Sequence, residues 1–256
     1  MSNVSGLRCL SCRRPIAVEP FGYFCPHCGG YLDVEYDYER LRENLSLAKL
    51  ERRQGTILEQ WLDFLPIERP ELIGAVTLGE QPTPLTRANR LPAPVAGAEV
   101  WFKNEALFPT NSLKDRSMPL VVLKALELGR SAVGIVSSGN AAASLAAYAA
   151  RAGLRAVVFV SKHASPGKLF KTMIYRPVGI QVQASYSEAE AFFQRAREEF
   201  GFFDCNGLVN PYRAEGKKTF AYEVARDLGW RSPRTVYMPV AYGNGIVAAW
   251  KGFKEL

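Results

Sequence analysis

From residue 118 onward the chain alternates between two hydrophobic periods, and this alternation restricts its possible folds more than any other feature. Met118–Leu128 is apolar at helical spacing and stops at Gly129. Ala132–Val136 is an unbroken apolar run, as expected of a strand buried on both faces. Ala141–Ala152 is an alanine-rich helix stopped by Gly153, and Ala156–Val160 is again a strand. Pro166–Tyr175 opens with Pro-Gly and reads as a helix, Gly179–Val182 as a short strand, and Ser187–Phe200 as a helix. Pro211–Leu228 is a further helix ending at Gly229, Thr235–Val240 a strand, and Ile246–Leu256 a helix. Strands separated by helices of this length become parallel neighbours through right-handed crossovers. The predicted fold class is therefore α/β, with parallel sheets flanked by helices.

Upstream, Leu41, Leu45 and Leu50 share one helical stripe, Trp61, Leu62, Phe64 and Leu65 follow, and Pro66 and Pro70 end the stretch. The segment 79–98, with Pro82, Pro84, Pro92 and Pro94, reads as a loop before a strand-like Glu99–Lys103. No apolar run approaches the ~18 residues of a membrane span. The polar opening Met1–Gly6 lacks the apolar core of a signal peptide. A soluble, cytoplasmic protein is expected, with no membrane partner.

Four of the five cysteines form two C-x2-C pairs, Cys9/Cys12 and Cys25/Cys28. Two-residue spacing lets both thiolates of a tight turn face one ion, and two such knuckles close a tetrahedral zinc site. Pro26, Gly29 and Gly30 supply turn chemistry. His27 lies inside the second pair, but four thiolates already fill the shell. Cys205 stands alone and reads as a buried structural thiol. The formal net charge of +7, with Arg8, Arg13 and Arg14 beside the knuckles, admits a nucleic-acid binder. The acidic stretch Tyr31–Glu39 opposes that reading, so the ribbon is expected to be a structural staple.

In parallel sheets ligands bind beyond the carboxyl ends of strands, which singles out three loops. Ser137-Ser138-Gly139-Asn140 joins a strand to the alanine-rich helix; it is either an anion-binding turn or an ordinary N-cap. Gly243-Asn244-Gly245 has the same strand–glycine–helix setting. Phe108–Arg116 places Lys114 just before an apolar helix, where a cation is disfavoured. Lys114 is there either a desolvated amine of the kind that forms Schiff bases or part of a solvated Lys-Asp-Arg cluster. His27 and His163 are far apart, and no metalloprotease, hydrolase or kinase signature is present.

Taken in order, these segments resemble threonine synthase and its close relatives among the fold type II enzymes that use pyridoxal phosphate (PLP). The likeness runs through the cysteine pairs with Tyr31–Tyr38, Gln81–Leu85, Pro109–Arg116, Ser137–Gly153, Asn210–Thr219 and Trp250–Leu256, and so covers nearly the whole chain. It implies a zinc ribbon over 1–38, the first part of a large PLP domain with the lysine loop over 39–125, a small α/β domain over 126–210, and a return to the large domain over 211–256. PLP is expected in the cleft and a structural Zn(2+) in the ribbon. By position, Lys114 is the expected Schiff-base lysine, and Asn140 the partner of the cofactor's ring hydroxyl. Gly243, Asn244 and Gly245 are expected to hold the cofactor phosphate. Ser137, Ser138, Gly139 and Ala141 are expected around the substrate carboxylate, and Arg213, Asn206 and Asn210 near its phosphate. The implied reaction converts O-phospho-L-homoserine and water to L-threonine and phosphate.

The likeness has departures. Phe108, Asn111, Leu113 and Ser117 stand where the family's lysine motif has Asn, Gly, Phe and Gly. Ala141 replaces a threonine, removing a hydrogen bond to the substrate carboxylate that is worth roughly 1.5–3 kcal/mol. Ala241 and Tyr242 replace Gly and Asn, and Tyr242 is expected to crowd the phosphate. Family members continue well past the Trp250–Leu256 helix, into further strands of the large domain and the hydroxyl residue that meets the pyridine nitrogen. An incomplete large domain is therefore expected, with Trp250 and Phe253 seeking apolar partners in a homo-oligomer or a completing partner chain. Two alternatives share the resemblance: a cysteate synthase-like enzyme acting on another phosphorylated or activated amino acid, and an inactive PLP-fold protein that needs a partner chain.

Overall fold

The computed structural model describes residues 2–19, 21–92 and 97–256. Pro94, part of the expected proline-rich loop, lies outside the described residues. The chain opens with a three-stranded antiparallel sheet in the order β2-β1-β3, from β1 (Val4–Cys9), β2 (Pro15–Ile16) and β3 (Leu32–Tyr36). Leu32, Val34 and Tyr36 are buried while Asp33 and Glu35 point the other way, the period-2 pattern of a half-covered strand. The helical stripe over 40–75 divides into α1 (Tyr38–Asn44), α2 (Leu47–Arg52), α3 (Ile57–Gln60) and α4 (Ile73–Val76). The breaks have local causes. Asp37 and Ser46 each accept a backbone N–H at an N-terminus, and Thr56 with Glu59 forms a capping box.

β4 (Leu85–Arg87) pairs antiparallel with β5 (Trp101–Lys103), and α5 (Met118–Glu127) follows a tight turn. The predicted alternation then appears as β6 (Ala132–Val136), α6 (Asn140–Arg151), β7 (Arg155–Ser161), α7 (Pro166–Met173), β8 (Val178–Val182) and α8 (Tyr186–Phe200). A two-residue strand, β9 (Phe203–Asp204), follows and has no counterpart in the sequence expectations. The sheet is all-parallel in the order β8-β7-β6-β9. Its faces separate the apolar residues. Val133, Ile135, Ala156, Val158 and Val160 join the main core with α5 and α6, whereas Val136, Val157 and Phe159 pack with Phe193 of α8 and with Phe202. Gly134 is required by this second layer, because a Cβ there would lie 2.5 Å from the Phe202 ring.

α9 (Tyr212–Asp227) crosses behind the sheet and packs on α5 and on α10 (Asn244–Glu255). Its contacts are backbone-close. A Cβ on Gly216 would sit 2.4 Å from the Arg116 carbonyl oxygen, and one on Gly252 of α10 would sit 2.6 Å from that of Lys218.

One predicted element does not form. Thr235–Val240 carries no assigned secondary structure and pairs with no strand, and Tyr237 is 94% exposed. A strand needs a neighbouring ladder to satisfy its backbone, and none of the described strands runs beside this segment. The same side of the molecule exposes Val240, Ile246, Val247 and Trp250, in line with the apolar face expected at the last helix.

Candidate active site

Lys114 lies in a single 3-10 turn, Leu113–Arg116, whose first residues are fixed from both sides. Asn111 adopts φ 56°, a left-handed conformation that Asn tolerates better than most residues, so it can stand where the family motif has Gly. Asp115 is fully buried. It accepts from Thr110 N and Thr110 Oγ1 at 2.6 Å and from Ser144 Oγ at 2.5 Å, tying the turn to α6. Arg116, 1% exposed, donates from Nη1 and Nη2 to Glu223 of α9 at 2.6 and 2.9 Å, and from Nε and Nη2 to Glu105 at 2.6 and 2.7 Å. The Lys-Asp-Arg run is therefore not a solvated charge cluster. Its acid and its arginine are buried anchors that present the lysine between them. Burial, reinforced by the charge of Arg213, holds the Lys114 amine below the usual lysine range. Among the described residues no hydrogen bond or ion pair engages its Nζ.

The Ser137–Asn140 turn leaves β6 and opens α6. The N-cap is Gly139, which makes no side-chain cap bond; Ser137 Oγ instead accepts from Gly139 N at 3.2 Å. An ordinary N-cap would return a side chain to the first turn. Here the first N–H groups of α6 are left for an external acceptor. Asn140 Oδ1 accepts from Lys171 Nζ at 3.3 Å, which leaves its amide N–H groups free to donate. At the opposite wall, Gly243 has φ 77° and starts α10, again without a side-chain cap.

Both openings face one cavity of about 690 Å³. It is lined by Lys114, Ser137, Ser138, Gly139, Asn140, Ala141, Asn206, Arg213, Gly243, Asn244 and Gly245, so the structure brings together all but one of the expected cofactor and substrate residues. The exception is Asn210. Its Nδ2 donates to the Asp204 carbonyl at 2.8 Å and its Oδ1 accepts from Tyr212 N at 3.0 Å, so it caps the start of α9 and does not line the cavity. Asn206 lines the cavity with both amide ends engaged, accepting from Val136 N and donating to Asp204 Oδ1. Tyr242 sits at the rim with its side chain largely exposed and does not fill the cradle.

Arg213 is 2% exposed. Its Nη1 donates to the Cys205 carbonyl at 2.6 Å, and its buried Nε has no hydrogen-bond partner. Burial brings its pKa down to about 10 despite the proximity of Cys205 and Asp204, so the guanidinium stays charged at neutral pH. Lys217, one helical turn further along α9, also lines the cavity and is 7% exposed. Its Nζ donates to Asn244 Oδ1. Burial, then Arg213 and Lys114, push its amine down to about 6. Sequence reasoning did not single out Lys217, because two adjacent lysines inside a helix carry no motif spacing of their own. The signal that could have found it is its four-residue spacing from Arg213, which puts both on one helix face.

The cysteines lie elsewhere. The Sγ atoms of Cys9, Cys12, Cys25 and Cys28 all lie within 4.8 Å of one another. Cys9 and Cys28 are 3.4 Å apart, and Cys12 and Cys25 are 3.7 Å apart. Tetrahedral thiolates at ~2.3 Å from a zinc ion stand ~3.8 Å apart, close to these separations. Each knuckle also turns a backbone N–H onto a sulfur, Cys12 N to Cys9 and His27 N to Cys25, both at 3.4 Å. The ribbon reaches the cavity as well, because Tyr31, just after the second knuckle, forms part of its wall. Cys205 is buried, as expected.

The chain is 39% identical over 249 residues to a threonine synthase of Methanocaldococcus jannaschii and 32% identical over 250 residues to one of Methanosarcina acetivorans. Each alignment takes in 97% of this chain, which spans 60% of the relative's length. Among solved structures, maize serine racemase superposes with a TM-score of 0.60 at 24% identity, over 68% of this chain and 52% of that one. The processed form of threonine deaminase isoform 2 from Solanum lycopersicum superposes at 0.58 and 20% identity, over 68% of this chain and 47% of that one. At these identities the likeness to the solved structures concerns the fold. Residues 76–256, which contain every wall of the cavity except Tyr31, match the family described as pyridoxal-phosphate dependent enzyme, and the chain belongs to that family.

Proposed function

We propose that this chain forms the cofactor and substrate cavity of a PLP-dependent lyase of the threonine synthase type, which converts O-phospho-L-homoserine and water to L-threonine and phosphate. The observation that carries the reading is the convergence of an unengaged amine, Lys114, with uncompensated cations and two uncapped helix N-termini on one cavity. The cavity volume is within the ~300–1,000 Å³ usual for small-molecule sites. The residues present fit the cofactor. Lys114 would hold its aldehyde, Asn140 its ring hydroxyl, and the turn Gly243-Asn244-Gly245 its phosphate. When bound, PLP supplies an electron sink for the carbon that loses its proton.

The chain's own groups do the rest. Ser137, Ser138, Gly139 and Ala141 present the first turn of α6 to the substrate carboxylate. Arg213 holds the phosphate that leaves from the γ-carbon. The Lys114 amine, lowered by burial, is placed to remove one proton from Cα and one from Cβ as the γ-phosphate leaves. It is placed to return one to Cγ, which becomes the methyl carbon, and one to Cα once water has given its hydroxyl to Cβ and its remaining proton to the phosphate. Asn206 acts by shaping the wall and Asn210 by fixing the start of α9, since their amides are engaged within the protein. Ala141, with no hydroxyl at the carboxylate turn, favours a neighbouring reading: a cysteate synthase-like enzyme on another phosphorylated amino acid.

The four-cysteine cluster fits a structural zinc ion. The expected units, 1–38, 39–125, 126–210 and 211–256, form part of the proposal. So does a second chain, identical or not, over the face that exposes Ile246, Val247 and Trp250. Among the described residues no helix is long and apolar enough to cross a membrane, which agrees with a cytoplasmic enzyme.

The test is to add PLP to purified protein, reduce with borohydride and map the modified peptide, then measure phosphate release from O-phospho-L-homoserine. Label on Lys114, absent from Lys114→Ala, together with stoichiometric threonine and phosphate, is the expected result. Label spread over surface lysines would defeat the cofactor assignment. Label on Lys114 without threonine would defeat the substrate assignment alone.

A further inference from the structure

We propose that Lys217 is a phosphate ligand. With Arg213 one turn earlier on α9, it seats a phosphomonoester dianion against the first turn of α10. The inference depends on the function above only for the identity of the substrate.

Five lysine and arginine residues are buried among the described residues: Arg116, Lys124, Arg213, Lys217 and Lys218. Three are neutralised by carboxylates. Arg116 meets Glu105 and Glu223, Lys124 meets Glu127 at 2.6 Å, and Lys218 meets Glu215 and Glu255 at 2.7 and 3.0 Å. Arg213 and Lys217 have no such partner among the described residues, and these two line the cavity. Lys217 and Lys218 make the contrast within two consecutive residues of one helix. Lys218 turns away from the cavity into an acidic pocket, whereas Lys217 turns into the cavity and finds only an amide oxygen.

Burying cations without counter-charge is costly, and such groups persist where an external anion completes them. The surroundings select the anion. Arg213 Nε is buried and unpartnered, Lys217 Nζ has donors beyond the one given to Asn244, and the N–H groups of the Gly243–Gly245 turn lie beside them. Several donors converging from different directions suit the three terminal oxygens of a phosphomonoester better than the two of a carboxylate. Two sources could bring that group, the cofactor and the substrate.

The experiment titrates inorganic phosphate into the PLP-loaded and PLP-free full chain by calorimetry, with Lys217→Gln and Lys217→Arg alongside. Gln removes the charge and can still donate to Asn244; Arg keeps the charge. The seat predicts that Gln weakens phosphate binding about tenfold or more and that Arg largely restores it. If phosphate binds the PLP-loaded protein, the seat serves the substrate's phosphate. If PLP excludes phosphate and Lys217→Gln loosens PLP instead, it serves the cofactor's. An unchanged affinity of Lys217→Gln for both overturns the proposal. Should that variant fail to fold, phosphate must shield Lys217 of the wild-type chain from amine acetylation, read by mass spectrometry. Equal labelling with and without phosphate is again a refutation. Neither readout requires turnover, so an inactive enzyme and a wrong assignment of Lys217 are told apart.

Discussion

Gly216→Ala is the substitution by which the packing of α9 can be tested most directly. A methyl group on Gly216 would lie 2.4 Å from the Arg116 carbonyl oxygen and 2.6 Å from Ser117 Cα, both backbone atoms that cannot swing aside. Reaching the 3.4 Å at which ordinary contact begins requires α9 to retreat by about 1 Å. The same retreat lengthens the 2.6 Å bond from Arg116 Nη1 to Glu223 beyond hydrogen-bonding range. Overpacking of this kind costs about 1–3 kcal/mol, partly offset by the ~1 kcal/mol advantage of Ala over Gly inside a helix. The expected net loss of stability is about 0–2 kcal/mol. The functional loss is larger, because Arg213 and Lys217 ride on α9 while Lys114 belongs to the turn that α9 presses on. A misplacement of ~1 Å between reacting groups costs on the order of a hundredfold in rate. Urea denaturation, phosphate titration and turnover on the same preparation would separate these effects. Gly74→Ala in α4 is the control: a Cβ there meets nothing within 4 Å, so it should leave stability unchanged or raise it by up to ~1 kcal/mol. A Gly216→Ala protein as stable as wild type, with unaltered phosphate affinity, would falsify the claim that α9 sets the spacing of the site.

Arg116→Met should destabilise by up to about 3–5 kcal/mol, because buried Glu223 loses one of its two cationic partners and keeps only Lys103 at 2.9 Å; thermal unfolding would show it, and a loss below ~1 kcal/mol would mean that Lys103 alone compensates Glu223. Ala141→Thr should tighten binding of a substrate carboxylate about tenfold if the α6 turn receives it, read by titration with a non-reactive phosphonate analogue. Lys217 shares with Lys114 and Arg213 a cavity whose wall also carries Glu190 and Tyr186. With its amine near 6 it is neutral in the empty cavity at about pH 7.5, and a bound dianion raises it. Phosphate binding should therefore take up a proton and weaken as pH rises, which calorimetry in buffers of different ionisation enthalpy would register; no proton uptake would argue for a permanently charged Lys217. Removing metal with a chelator should release about one zinc per chain and lower the melting temperature, whereas an unchanged melting curve would separate the ribbon from the fold's stability.

The sequence and the structure agree where periodicity is strong and local. β6 begins and ends where its apolar run does, and β7, α6 and α8 shift by no more than a residue at either end, because the apolar runs and glycine stops that define them are local. Thr235–Val240 has the same strand-like composition, but pairing depends on a neighbour that composition does not reveal. β9 is two residues long, too short to show any period, although it closes the sheet beside β6. The candidate site was legible where chemistry and loop position coincide, at Lys114, Ser137–Ala141 and Gly243–Gly245. Asn210 stands apart from the other expected residues because an amide suited to a ligand is equally suited to capping a helix, as it does at the start of α9. The converse holds for Lys217 and for Arg116. Both belong to basic stretches that read as solvated, and only the burial of α9 and its neighbours separates the paired arginine from the unpaired lysine.

The ribbon's third strand is bonded into the α/β body. Lys251 of α10 donates to Asp33 at 2.8 Å, to the Val34 carbonyl at 2.6 Å and to Glu215 of α9 at 2.7 Å, while the Tyr36 hydroxyl donates to the same glutamate at 2.5 Å. These groups form a single polar knot that joins β3 to α9 and α10, with Tyr36 and Glu215 179 residues apart along the chain and Asp33 and Lys251 218 apart. Replacing Asp33 would leave Lys251 one acceptor short, and replacing Tyr36 would leave Glu215 one donor short, so the four positions are expected to change together. Exchanging ribbons between homologues should succeed only when the matching turns of α9 and α10 are exchanged with them.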